Sequence, residues 1–110
     1  MYRLSTIIEE VYRTFLPLAE KKKISFNLDF PDPTKRVERP SLVKNPLLEN
    51  TEAAILRAKK SVSIVVKKNS VVVSDDGEVL PTAKLKEIRE AENIKAKSRV
   101  GFGTEVEIFF

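Results

Sequence analysis

Between residues 4 and 30 the hydrophobic period changes once, from that of a helix to that of a strand, and this restricts the chain to folds that mix the two. Leu4, Ile8, Val11, Phe15 and Leu18 recur at spacings of four, three, four and three, the stripe of an amphipathic helix. Ser5 stands where an N-cap would. Pro17, which has no N–H to donate, is expected to kink or end the last turn, with the helix stopping near Lys21. Ile24-Ser25-Phe26-Asn27-Leu28-Asp29-Phe30 then alternates apolar and polar without error, as a half-buried strand does.

The remaining segments extend this mixture. Pro31-Asp32-Pro33-Thr34 through Pro40 is a proline- and charge-rich connection, too short for a domain linker. Residues 41–60 read as helical, with Leu48, Ala54, Ile55 and Ala58 inward; Asn45-Pro46 predicts a break, Pro46 being the first helical position behind an Asn45 cap. Two β-branched runs, 61–66 and 70–74, flank Lys67-Lys68-Asn69 and predict a hairpin. Asp75-Asp76-Gly77-Glu78 ends it in a loop. Residues 83–91 carry a short helical stripe of Leu85, Ile88 and Ala91. A second hairpin, 94–98 and 104–110, turns at Arg99-Val100-Gly101-Phe102-Gly103. In it Lys95 and Lys97 can face Glu105 and Glu107 on the solvent side, while Val106, Ile108 and Phe110 face inward. The order predicts an α+β fold: a two-layer α/β sandwich in one domain over 1–110, a mixed sheet of about five strands with about three helices on one face. No internal repeat is present.

Composition narrows the chemistry. Among 110 residues there is no His and no Cys, which excludes a Ser-His triad, a thiolate nucleophile, the usual zinc sites and a phosphohistidine. Disulfides are impossible and the first residues lack a signal-peptide pattern, so a cytoplasmic location is expected. Apolar runs reach three or so residues, far below the roughly 20 that span a bilayer. Thirteen Lys and twelve Glu with no Gln follow the trend of proteins from hot environments. The net charge of +4 is spread evenly, +2 in each of residues 1–50 and 51–110. Its one cluster, Lys21-Lys22-Lys23, suits a helix C-terminus and predicts no nucleic-acid role.

Three short segments, taken in order, carry a resemblance. Leu47-Leu48-Glu49-Asn50 lies in a helix, Asp75-Asp76-Gly77 follows a hairpin, and Gly101-Phe102-Gly103-Thr104 leads into a strand. The opening helix followed by Ala19-Glu20-Lys21-Lys22-Lys23-Ile24-Ser25-Phe26 adds to it. Together they resemble the ATP-binding catalytic domain of sensor histidine kinases, whose Bergerat fold is shared with gyrase and the mismatch-repair ATPases. The resemblance implies that Asn50 holds magnesium against the phosphates, an amide oxygen being a hard ligand. It implies that Asp75 accepts from the adenine amino group, that Gly77 lies beside the base, and that Thr104 helps position it. No catalytic residue follows. By themselves Asp75-Asp76-Gly77 would be an ordinary turn, and Asn50 or Glu49 an exposed helical residue. Phe102 reads as core or as an exposed contact.

The departures lie at the phosphate end. Pro46 stands four positions before Asn50, where the family has a first asparagine; Ala53 replaces a basic residue and Val79 a second glycine. No glycine occurs between Gly77 and Gly101, where the family has a long lid and a glycine-rich phosphate box. The lid is read as deleted. Losing three or four charged hydrogen bonds removes roughly 5 kcal/mol, which takes a micromolar site to about millimolar or weaker. The expectation is a reduced domain of two-component signalling that binds ATP or ADP with Mg2+ weakly or not at all and has no kinase activity alone. A partner would supply the phosphoacceptor histidine. The alternative is a non-catalytic module that docks a kinase or a response regulator.

Overall fold

The computed structural model describes residues 2–32 and 34–110; Pro33 of the predicted connection lies outside the described residues. The opening helix, α1, spans Leu4–Lys21 and buries Leu4, Ile7, Ile8, Val11, Phe15 and Ala19. Leu18, placed inward by its spacing, is only half-buried. Ser5 lies inside the helix, and no side chain caps its start. The N-terminal backbone is instead secured by a feature the sequence did not suggest: β1, Tyr2–Arg3, pairs antiparallel with β3, Arg36–Val37. The Leu4 amide donates to the Lys35 carbonyl at 2.9 Å, so one otherwise orphaned donor of the first turn is satisfied.

The helix passes Pro17 and closes with a Schellman turn. The Ile24 amide donates to the Ala19 carbonyl at 2.9 Å and the Lys23 amide to Glu20 at 3.1 Å, with Lys23 in the left-handed region at φ 60°. Ile24 and Ala19 are both buried, the apolar contact that accompanies this motif. The turn delivers the chain into β2, Ser25–Asp29.

Helix α2 runs Ser41–Arg57 without a break at Pro46, contrary to the predicted split behind Asn45. Proline at this position removes the donor for the Leu42 carbonyl and its ring crowds that oxygen. The Asn93 side chain takes its place, Nδ2 donating to Leu42 O at 3.1 Å and to Phe109 O at 3.1 Å. An amide from a distant segment thus repairs the helix. Lys22, from the basic cluster, caps the other end: its Nζ donates to the Ile55 and Leu56 carbonyls at 2.8 and 2.9 Å.

The sheet is mixed, as expected, with strand order β2-β4-β5-β7-β6, where β4 is Ser61–Val66, β5 Ser70–Asp75, β6 Ile94–Arg99 and β7 Gly103–Phe109. Within this sheet β2 and β4 are parallel, and α2 supplies the crossover that a parallel pair needs; the other neighbours are antiparallel. Val62, Ile64, Val71, Val73, Val106 and Ile108 form its inner face and pack with α1 and α2 into one core. Helix α3, Thr82–Arg89, lies along β6 and rests Leu85 and Ile88 on that core. Arg89 donates to the Ala96 carbonyl and the Leu80 amide to Ser98 Oγ, so the edge strand is partly covered. On the outer face Lys97 pairs with Glu105 at 3.4 Å. Lys95 stands opposite Glu107 but does not pair with it: Glu107 accepts from Ser70 Oγ, and Lys95 lies over the Phe109 ring.

Candidate functional site

Strand β5 ends at Asp75, which sits opposite Thr104 across the β5–β7 ladder. The register of the second hairpin therefore brings two of the predicted residues together. Thr104 is buried and its Oγ1 lies 2.9 Å from Ser98 Oγ, an internal contact. Gly103, before it, has φ 84°, and a Cβ there would collide with the Asp75 carbonyl; only glycine lets the hairpin approach β5 so closely.

Asp75 is the most enclosed charge in this region. Its side chain is 1% exposed, and Oδ2 accepts from Arg57 Nη2 at 2.8 Å. Oδ1 accepts the Gly77 amide at 2.9 Å. Arg57, the last residue of α2, is 18% exposed, and its Nε is buried with no partner among the described residues. Gly77 is closed by the same residue: a Cβ on it would stand 2.6 Å from the Arg57 carbonyl oxygen. Both oxygens of Asp75 and the bare face of Gly77 are thus engaged within the chain. Each oxygen keeps a further lone pair, but the carboxylate is so enclosed that an adenine ring does not reach it as the residues are arranged.

Asp76 has a different task. Its carboxylate accepts the amides of Lys59, Lys60 and Ser61 at 2.8 to 3.3 Å, clasping the loop between α2 and β4. Burial pushes its carboxyl up, but the Lys60, Lys59 and Ser61 amides and its own amide together hold it below the usual carboxylate range. The sequence marked Asp76 only as part of a turn.

Asn50 stands apart. It is buried on α2, with Nδ2 donating to the Pro46 carbonyl four residues back at 2.8 Å, and it lines a cleft of about 380 Å³ between α2 and α3. Pro46, Ala53, Arg57, Ile88 and Ile94 share that cleft. Gly77 borders another hollow, with Asp76, Val79 and Val100, and Thr104 a third, with Ser98, Arg99 and Phe102. The four predicted residues do not converge on one cavity. Among the described residues no group of three metal-ligating side chains occurs.

Arg57 is the residue that sequence reading missed. It follows Asn50 by seven positions, two helical turns, so Asn50, Ala53 and Arg57 fall on one face. That spacing was the available signal. Val100 and Phe102, at the tip of the second hairpin, are 80% and 82% exposed, which decides Phe102 as a surface residue.

No protein-family model and no curated protein matches the sequence. Solved structures do. The cytoplasmic segment of histidine kinase QseC aligns with 98% of this chain and 74% of its own at a TM-score of 0.72 and 15% identity. A nucleotide-free catalytic domain of histidine kinase ThkA aligns with 98% of this chain and 94% of its own, TM-score 0.70, 21% identity. ThkA in complex with the response regulator TrrA aligns with 98% of this chain and 40% of its own, TM-score 0.70, 20% identity. The chain has the fold of a histidine kinase catalytic domain.

Proposed function

We propose that this chain is a reduced histidine kinase-type ATP-binding domain of two-component signalling, one that holds adenine nucleotide and Mg2+ weakly or not at all and transfers no phosphoryl group alone. The observation that carries this reading is the gap between Gly77 and Gly101. Those residues are occupied by α3 and β6, with no lid and no glycine to bring backbone donors against a triphosphate. Phosphoryl transfer depends on positioning the terminal phosphate, so it fails first. Asn50, Asp75, Gly77 and Thr104 are the remains of the site. Asn50 Oδ1 would still suit magnesium, an amide oxygen being a hard ligand; the base end does not suit adenine while Arg57 holds Asp75.

Titration with ATP and ADP, with and without Mg2+, followed by amide chemical shifts, tests the reading. No saturable change below about millimolar nucleotide is expected, and Asp75→Asn is the control for any shift near Gly77 and Thr104. Micromolar binding, or phosphorylation of a supplied histidine domain, would overturn it.

A second reading, docking to a kinase or response regulator, is favoured by the exposure of Val100 and Phe102 on a turn where they support no packing. ThkA is a structural neighbour solved with a response regulator. Capture of a response regulator that is lost in Val100→Ser/Phe102→Ser supports it, and equal capture by both chains removes it.

A further inference from the structure

We infer that Arg57 is the resident occupant of the adenine end of this site, a donor supplied by the chain itself in the place of a ligand's amino group. This rests on the reading of Asp75 and Gly77 as the former base end, and goes beyond it by naming what closes that end.

Three observations describe the closure, two of them at Arg57 itself. The guanidinium donates to Asp75 Oδ2 at 2.8 Å, a charge-assisted bond to a carboxylate that is almost fully enclosed. The other carboxylate oxygen is held by the Gly77 amide at 2.9 Å. The backbone of Arg57 lies against Gly77 where a side chain would begin. An incoming adenine would have to replace an ionic donor with a neutral one, and would leave a guanidinium without its partner, its Nε already lacking one. The exchange is unfavourable for any neutral amine. The closure therefore does not depend on the missing phosphate contacts; it would persist if they were restored.

The probe is adenosine, which carries no phosphate, with guanosine as control because it presents a carbonyl where adenosine presents an amino group. In the Arg57→Met chain, adenosine is expected to shift the amides of Asp75, Gly77 and Thr104 with millimolar saturation, roughly tenfold or more above the wild-type response. Guanosine should not. Arg57→Lys, which keeps a cation near Asp75, should stay silent. A folded Arg57→Met chain as unresponsive as wild type overturns the inference and leaves the reading of lost nucleotide binding standing. Wild-type chain that binds adenosine and ATP through Asp75 overturns both. Independently of any variant's folding, the Arg57 Nη2–H that donates to Asp75 should exchange slowly with solvent in wild type; fast exchange there also overturns the inference.

Discussion

At the scale of single residues, the segment Asp75-Asp76-Gly77 shows how one turn signal can hold two unlike carboxylates. Asp75 points inward to a cation, and Asp76 outward to three amides of the neighbouring loop. Because the Asp76 carboxyl is held low when folded, its contribution is complete above the ordinary value of 3.8 and is lost as pH falls through the lower folded value. Asp32, held low by the Thr34 hydroxyl and amide, acts in the same direction. Asp76→Ala is expected to lose about 1–2 kcal/mol at pH 7, allowing for its partial exposure. Urea unfolding of both chains should show that difference constant down to about pH 5 and shrinking below pH 4; a difference that grows in acid would contradict the assignment. The roles of these two aspartates were not legible in sequence, since an Asp-Asp-Gly run fits any turn. Their partners lie 15 to 18 residues away on α2 and its loop. Arg57 was nearer to being legible, its spacing from Asn50 being a helical repeat, but only the fold shows that α2 ends against β5.

Secondary-structure elements were far better read than their ends. All five strands of the main sheet and all three helices lie where apolar patterning and β-branched runs predict them, although β5 is buried on both faces and α3 buries no side chain fully. What periodicity does not carry is repair by distant groups. Pro46 promises a helix start, yet α2 continues, because Asn93 donates to the carbonyl that the proline leaves unpaired. Asn93→Ala should therefore cost about 1 kcal/mol or more. In a Pro46→Ala background, where residue 46 can donate to Leu42, that cost should fall, the remainder reflecting the Asn93 bond to Phe109. A double-mutant cycle with no coupling would separate the two residues. The small β1–β3 sheet escaped notice for a related reason: strands of two residues have no period. At the end of α1 the motif is clear but its residue is poor, since Lys23 holds a left-handed conformation that glycine adopts freely. Lys23→Gly should stabilise the domain by about 1 kcal/mol, read from the urea midpoint at constant m-value.

At the scale of the molecule, a single hydrophobic core holds the fold, and its packing does not require a ligand. What charge adds to that core bears on the Lys- and Glu-rich composition. Stabilisation of proteins in hot environments by charge is attributed to networks, in which each ion serves several partners. Among the described residues the ion pairs are Lys44–Glu10, Arg57–Asp75, Lys84–Glu87 and Lys97–Glu105, and none shares a partner. Three of them are exposed enough that each contributes about 1 kcal/mol or less. Any melting midpoint above the roughly 45–65 °C of ordinary domains must then arise from the core and from the enclosed Arg57–Asp75 pair, which salt screens poorly. Calorimetry in low salt and in 1 M NaCl should find midpoints within a few degrees of each other. A fall of more than about 25 °C would exceed what three isolated surface pairs can supply at about 1 kcal/mol each and roughly 4–8 °C per kcal/mol, and would mean that the surface charges act together after all.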